Sequence, residues 1–114
     1  MIDDPKPGQD TTVRDLIGDV APKLAELTEQ VVYGDVWARP GLSPRDRSLV
    51  TVAALAALYR TEQLPFHLEL ALKNGVTKEE LVEALTHLAF YSGWPTAMSA
   101  MILAKDVFQK TPRD

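Results

Sequence analysis

The chain contains no cysteine. That absence removes every intrachain disulfide, thiolate nucleophile and Cys-based metal site. Histidine is nearly as scarce: two among 114 residues, with no HExxH and no His/Asp cluster, so no intrinsic metal site is expected. No apolar run reaches the roughly 18 residues that a membrane span needs, so no membrane partner is expected. The opening MIDDPKPGQD is acidic and proline-rich, unlike the basic-then-apolar pattern of a secretory signal, and a cytoplasmic location is expected. Positive charge is also in deficit. Twelve basic against sixteen acidic side chains give a net charge of −4, with no Lys/Arg cluster, which argues against nucleic acid as a partner. β-Branched residues form no alternating runs, so strands have no signal.

What is present is helical punctuation. Apolar residues make up 46% and charged residues 25%, near the globular average, and 114 residues suit one domain. Residues 1–11 read as a flexible lead-in and 12–114 as a single all-α domain, a bundle of about five to six helices. A first helical region over 12–33 breaks near Asp19 to Pro22, where Asp19 is expected to cap the second part and Pro22 to sit in its first turn. Leu24, Leu27, Val31 and Val32 give that part an apolar stripe. Residues 34–42 read as a loop, with Gly34 and Pro40-Gly41 as breakers and Trp37 and Leu42 turned inward.

Ser43-Pro44-Arg45-Asp46 has the form of a helix start: N-cap serine, proline at the first helical position, then an acid near the positive helix end. The helix that follows, SLVTVAALAALYR, is apolar on nearly all sides, so its surface is expected to continue into an oligomer interface. Another helix spans 64–74 and closes with Gly75. Thr77-Lys78-Glu79-Glu80 is a capping box with Val76 and Leu81 as its hydrophobic staple, and that helix stops at Gly93. Trp94-Pro95 opens the last helix.

The stretch YRTEQLPFH, residues 59–67, concentrates the chemistry. On a helix, His67 neighbours Gln63, Leu70, Ala71 and Asn74, beside an apolar stripe of Leu64, Leu68 and Leu72. An imidazole near a helix start suits proton transfer near neutral pH, and the same setting suits a packed, hydrogen-bonded histidine. Arg60 can grip a carboxylate with two donors and Glu62 can orient His67, yet the two also fit a surface ion pair worth at most about 1 kcal/mol. Arg45 and Arg47 bracket Asp46 and can reach a pocket or cap carbonyls. His87, between Glu83 and Tyr91 on one helical face, is a weaker candidate. Trp94 can wall a pocket or fill the core, and Met98 and Met101 read as core or interface filler. Spacing does not choose among these.

Three segments, RDRSLVTVAALAALYR (45–60), HLELALKNGVTKEELVEAL (67–85) and AFYSGWPTAMSA (89–100), resemble the carboxymuconolactone decarboxylase family within the alkylhydroperoxidase D-like superfamily. The resemblance implies an all-helical fold that assembles as homotrimers or homohexamers. In the superfamily's redox branch a Cys-x-x-Cys pair precedes the histidine. Aligning that histidine with His67 puts Arg60 and Gln63 at the cysteine positions and Ser48 near an upstream glutamate, so thiol peroxidase chemistry has no attacking group. The decarboxylase branch keeps R-x-x-E-x-x-x-H. Arg60 and His67 match it, while Gln63 holds the glutamate position and Glu62 stands one place earlier, a shift of about 100° on a helix.

The implied activity is cofactor-independent decarboxylation of a small carboxylated lactone such as 4-carboxymuconolactone, in aromatic catabolism. His67 would act as acid–base group with Glu62 or Gln63 orienting it, Arg60 or Arg47 would bind the substrate carboxylate, and Tyr91 and Trp94 would shape the pocket, without cofactor or metal. The alternatives are a related lactone or keto-acid isomerase or decarboxylase of another pathway, with the same pocket, and, in another class, a non-catalytic oligomeric small-ligand binder.

Overall fold

Thr12 caps the first helix as its residue type dictates. Its hydroxyl accepts from the Asp15 N–H at 3.2 Å, and the Asp15 carboxylate accepts from the Thr12 N–H at 3.3 Å. The computed structural model describes residues 12–110, and every regular element among them is helical. Contacts group the chain into two compact units that meet in sequence between Leu42 and Ser43.

The first unit holds α1 (Val13–Ile17), α2 (Pro22–Leu27) and a π-helical stretch over Thr28–Val36. Three of the sequence expectations fail here. Asp19 does not cap α2: with Pro22 at the first helical position, the cap falls on Ala21, which offers no side-chain bond. Residues 34–36 are not loop, because the wider helix carries the chain through Gly34 and closes with the Trp37 N–H donating to the Val32 carbonyl at 2.9 Å. Gly34 permits this path, since a Cβ there would meet the Glu29 carbonyl oxygen at 2.9 Å. Arg14 grips the Glu29 carboxylate with two bonds of 2.8 and 3.2 Å, tying α1 to the π-helical stretch. Trp37 is half-buried with its ring 5.6 Å from that of Tyr33, whereas Leu42 is exposed, as are Leu24, Leu27, Val31 and Val32.

The second unit is four helices: α3 (Pro44–Ala57), α4 (Leu64–Lys73), α5 (Lys78–Ser92) and α6 (Trp94–Lys110). The starts of α3 and α5 follow their local chemistry. The Ser43 hydroxyl accepts from the Asp46 N–H at 3.1 Å. The Thr77–Glu80 capping box closes with bonds of 3.0 and 2.9 Å, and its staple residues Val76 and Leu81 are both buried. Gly93 breaks α5 from α6 with φ 109°. The core joins Val52 and Ala56 of α3, Leu64, Leu68 and Ala71 of α4, Leu81 and Leu85 of α5, and Ala100, Ala104 and Val107 of α6. Alanines at the contacts let helix backbones approach closely, and the leucines supply most of the apolar area withdrawn from water.

Three polar ties between helices lie at one end of this unit. Arg45 near the start of α3 pairs with Glu80 in the first turn of α5 at 2.5 Å. Asn74, capping the end of α4, donates to the buried Ser48 hydroxyl at 3.0 Å, and Lys78 reaches the Phe108 carbonyl at 3.5 Å. The chain reversals after α3 and after α5 lie at the other ends of those helices.

Candidate active site

Helix α3 ends in a two-bond cap. The Tyr59 N–H donates to the Ala56 carbonyl at 3.1 Å and the Arg60 N–H to the Leu55 carbonyl at 2.8 Å. This arrangement requires a left-handed residue between the helix and its exit, and Tyr59 supplies it with φ 61°. The chain then re-enters a helical path before α4 formally begins. The Leu64 N–H donates to the Arg60 carbonyl at 3.2 Å, the His67 N–H to the Gln63 carbonyl at 3.4 Å, and Gln63 has helical φ −92° and ψ −16°.

That path decides which side chains share a face. At about 100° per residue, Arg60 and Gln63 lie within about 40° of the direction of His67, while Glu62 lies about 140° away. Arg60, Gln63 and His67 therefore form one strip that climbs from the turn into α4. Arg60, Glu62 and Gln63 are exposed, and His67 is half-buried beside the core leucines Leu64 and Leu68.

His67 presents its Phe66 neighbour edge-on at 5.1 Å between ring centres, and its Nδ1 is closed off from solvent. Burial pushes the imidazole below the usual histidine value, because a charged ring loses hydration there. Burial thus favours the neutral ring over the charged one. Neutral imidazole accepts a proton at one nitrogen and donates a hydrogen bond from the other.

Tyr91 and Trp94 flank the Gly93 break, and each has an aromatic companion. Tyr91 stacks on His87 at 4.8 Å, and Trp94 meets Phe90 edge-to-face at 5.8 Å. Trp94 is 60% exposed, so core filling is not its role. Arg47 is half-buried in the opening turns of α3, about 15 Å along the axis from the end of that helix. Among the described residues no group of three or more His, Asp or Glu gathers as a metal-holding set, and no helix is long and apolar enough to cross a membrane.

Two features escaped the sequence. The Ser48–Asn74 bond joins residues 26 apart, and only the pairing of α3 with α4 reveals it. Tyr59 gave no local sign of a left-handed backbone. The usable signal was negative: a helix ends at residue 57 with no glycine where a cap residue is needed.

Residues 22–106 match the model of the carboxymuconolactone decarboxylase family. The chain is 41% identical over 93 residues to 4-carboxymuconolactone decarboxylase of Acinetobacter baylyi, covering 82% of this chain and 69% of that protein. It is 40% identical over 89 residues to nitrosuccinic acid decarboxylase npaB of Metarhizium robertsii, covering 78% of this chain and 59% of that one. An uncharacterized 15.0 kDa protein of Paracoccus denitrificans is 28% identical over 78 residues, or 67% of this chain and 58% of that protein.

Proposed function

The chain belongs to the carboxymuconolactone decarboxylase family, and we propose that it is a cofactor-independent carboxy-lyase acting on a small carboxylated lactone like 4-carboxymuconolactone. The observation that carries this is the 41% identity, over 82% of the chain, to a protein named for that reaction.

The strip on α4 supplies the groups such chemistry needs. Arg60 holds a substrate carboxylate with its fork of donors. It is favoured over Arg47 because it shares a face with His67. The C–C bond to the leaving carboxylate breaks, its electron pair moves into the conjugated lactone carbonyl, and CO2 departs. His67 then delivers a proton to the resulting dienolate. Burial favours the neutral imidazole, and an anionic substrate alongside it favours the charged form that donates the proton. Gln63, rather than the averted Glu62, orients the ring. Tyr91 and Trp94 form the aromatic side of the pocket.

Self-association belongs to the same reading, as a homotrimer or homohexamer. Phe90, Tyr91, Trp94, Met98 and Ile102 form an apolar surface that a single chain leaves open to water.

Turnover is followed by ultraviolet loss of 4-carboxymuconolactone together with CO2 release. The wild type is expected to convert it, and His67→Gln to lose at least about 100-fold in kcat with little change in KM. Full activity in that variant would remove His67 from the mechanism. The fungal relative supports a second substrate, a nitro-substituted dicarboxylic acid, in which the nitro group takes the place of the lactone carbonyl as electron sink. Conversion of nitrosuccinate but not the lactone would select it.

A further inference from the structure

The two helix ends in α3 and α4 are the same device built from different residues. After α4, the Gly75 N–H donates to the Leu72 carbonyl at 3.1 Å and the Val76 N–H to the Ala71 carbonyl at 2.9 Å, with Gly75 at φ 105°. After α3, Tyr59 and Arg60 make the corresponding two bonds with Tyr59 at φ 61°. Glycine enters the left-handed region freely, whereas a residue with a Cβ is strained there by its own carbonyl. The capping bonds are all backbone, so glycine at 59 would close the helix equally well.

The strain is not offset by packing. Tyr59 is 60% exposed, and among the described residues its ring joins neither the core nor an aromatic pair. Nor does its position suggest a neutral surface site: it directly precedes Arg60 at the foot of the strip that ends in His67. A bulky aromatic held in a strained backbone, exposed, next to the groups assigned to substrate, matches the pattern of strain kept at functional sites. We infer that Tyr59 is a specificity-determining residue whose ring lies against the bound substrate, an assignment that rests on the carboxy-lyase reading above. The aromatic face, rather than the hydroxyl, makes the contact, covering the apolar side of a lactone whose carboxylate Arg60 holds.

The test pairs stability with kinetics in Tyr59→Gly and Tyr59→Phe, using 4-carboxymuconolactone as substrate. Tyr59→Gly is expected to melt about 3 °C higher than wild type, since the strain is relieved. Its KM should rise about tenfold with kcat changed less than about threefold, the loss of one aromatic contact. Tyr59→Phe should keep both constants within about twofold of wild type. An unchanged KM in Tyr59→Gly overturns the inference while leaving the lyase assignment intact. So does a lower melting temperature, or a change in assembly mass by light scattering with KM unchanged, which would make the ring a subunit contact. A wild type that does not convert the lactone overturns both.

Discussion

A neutral imidazole inside the fold and an ordinary one outside it make His67 a pH-dependent contributor to stability. Its folded-state pKa is lowered by burial from the model-compound value of 6.5. As pH falls, the unfolded chain therefore takes up the proton first. Stability is full above that value and declines as pH drops from it toward the folded pKa. Urea unfolding between about pH 7.5 and pH 5 should show wild type losing more stability than His67→Gln over the same span. Equal losses would mean that the ring is hydrated in the native state. The half-burial of His67 was legible from its place beside the Leu64–Leu68 stripe. Whether Glu62 or Gln63 faces it was not, because that depends on the backbone between residues 60 and 64, which no side-chain pattern reports.

At the scale of elements, the starts of α3 and α5 were readable because capping is local: a side chain bonds a backbone group within three residues, as Ser43 and Thr77 do. Thr77→Ala removes its half of the capping box and should cost about 1 kcal/mol, with Thr77→Ser recovering most of it in a thermal melt. No loss on truncation would show that the Val76–Leu81 staple alone fixes the start of α5. The π-helical stretch was unreadable for the converse reason. Its bonds run five residues back, and Gly34, a breaker by composition, serves here as clearance for the Glu29 carbonyl. Asp19 does not cap α2 because a proline at the first helical position fixes the cap one residue before it.

For the whole molecule, the over-apolar α3 and the open aromatic surface of α5 and α6 point the same way. Val50, Phe90, Met98 and Ile102 are exposed in the single chain. Light scattering after size exclusion should find a trimer or hexamer, and Ile102→Lys should shift it toward the single chain. An unshifted mass would place the interface elsewhere. The second unit is fastened by Arg45–Glu80, Ser48–Asn74 and Lys78–Phe108, away from the turns that carry Arg60 and Trp94. In evolutionary terms, that separates two kinds of change. With the substrate site proposed at the turns, substitutions there would alter what is bound without breaking these fastenings, so drift in substrate need not be drift in fold. A family that spans a lactone and a nitro acid at similar identity to this chain is what such a division of labour permits.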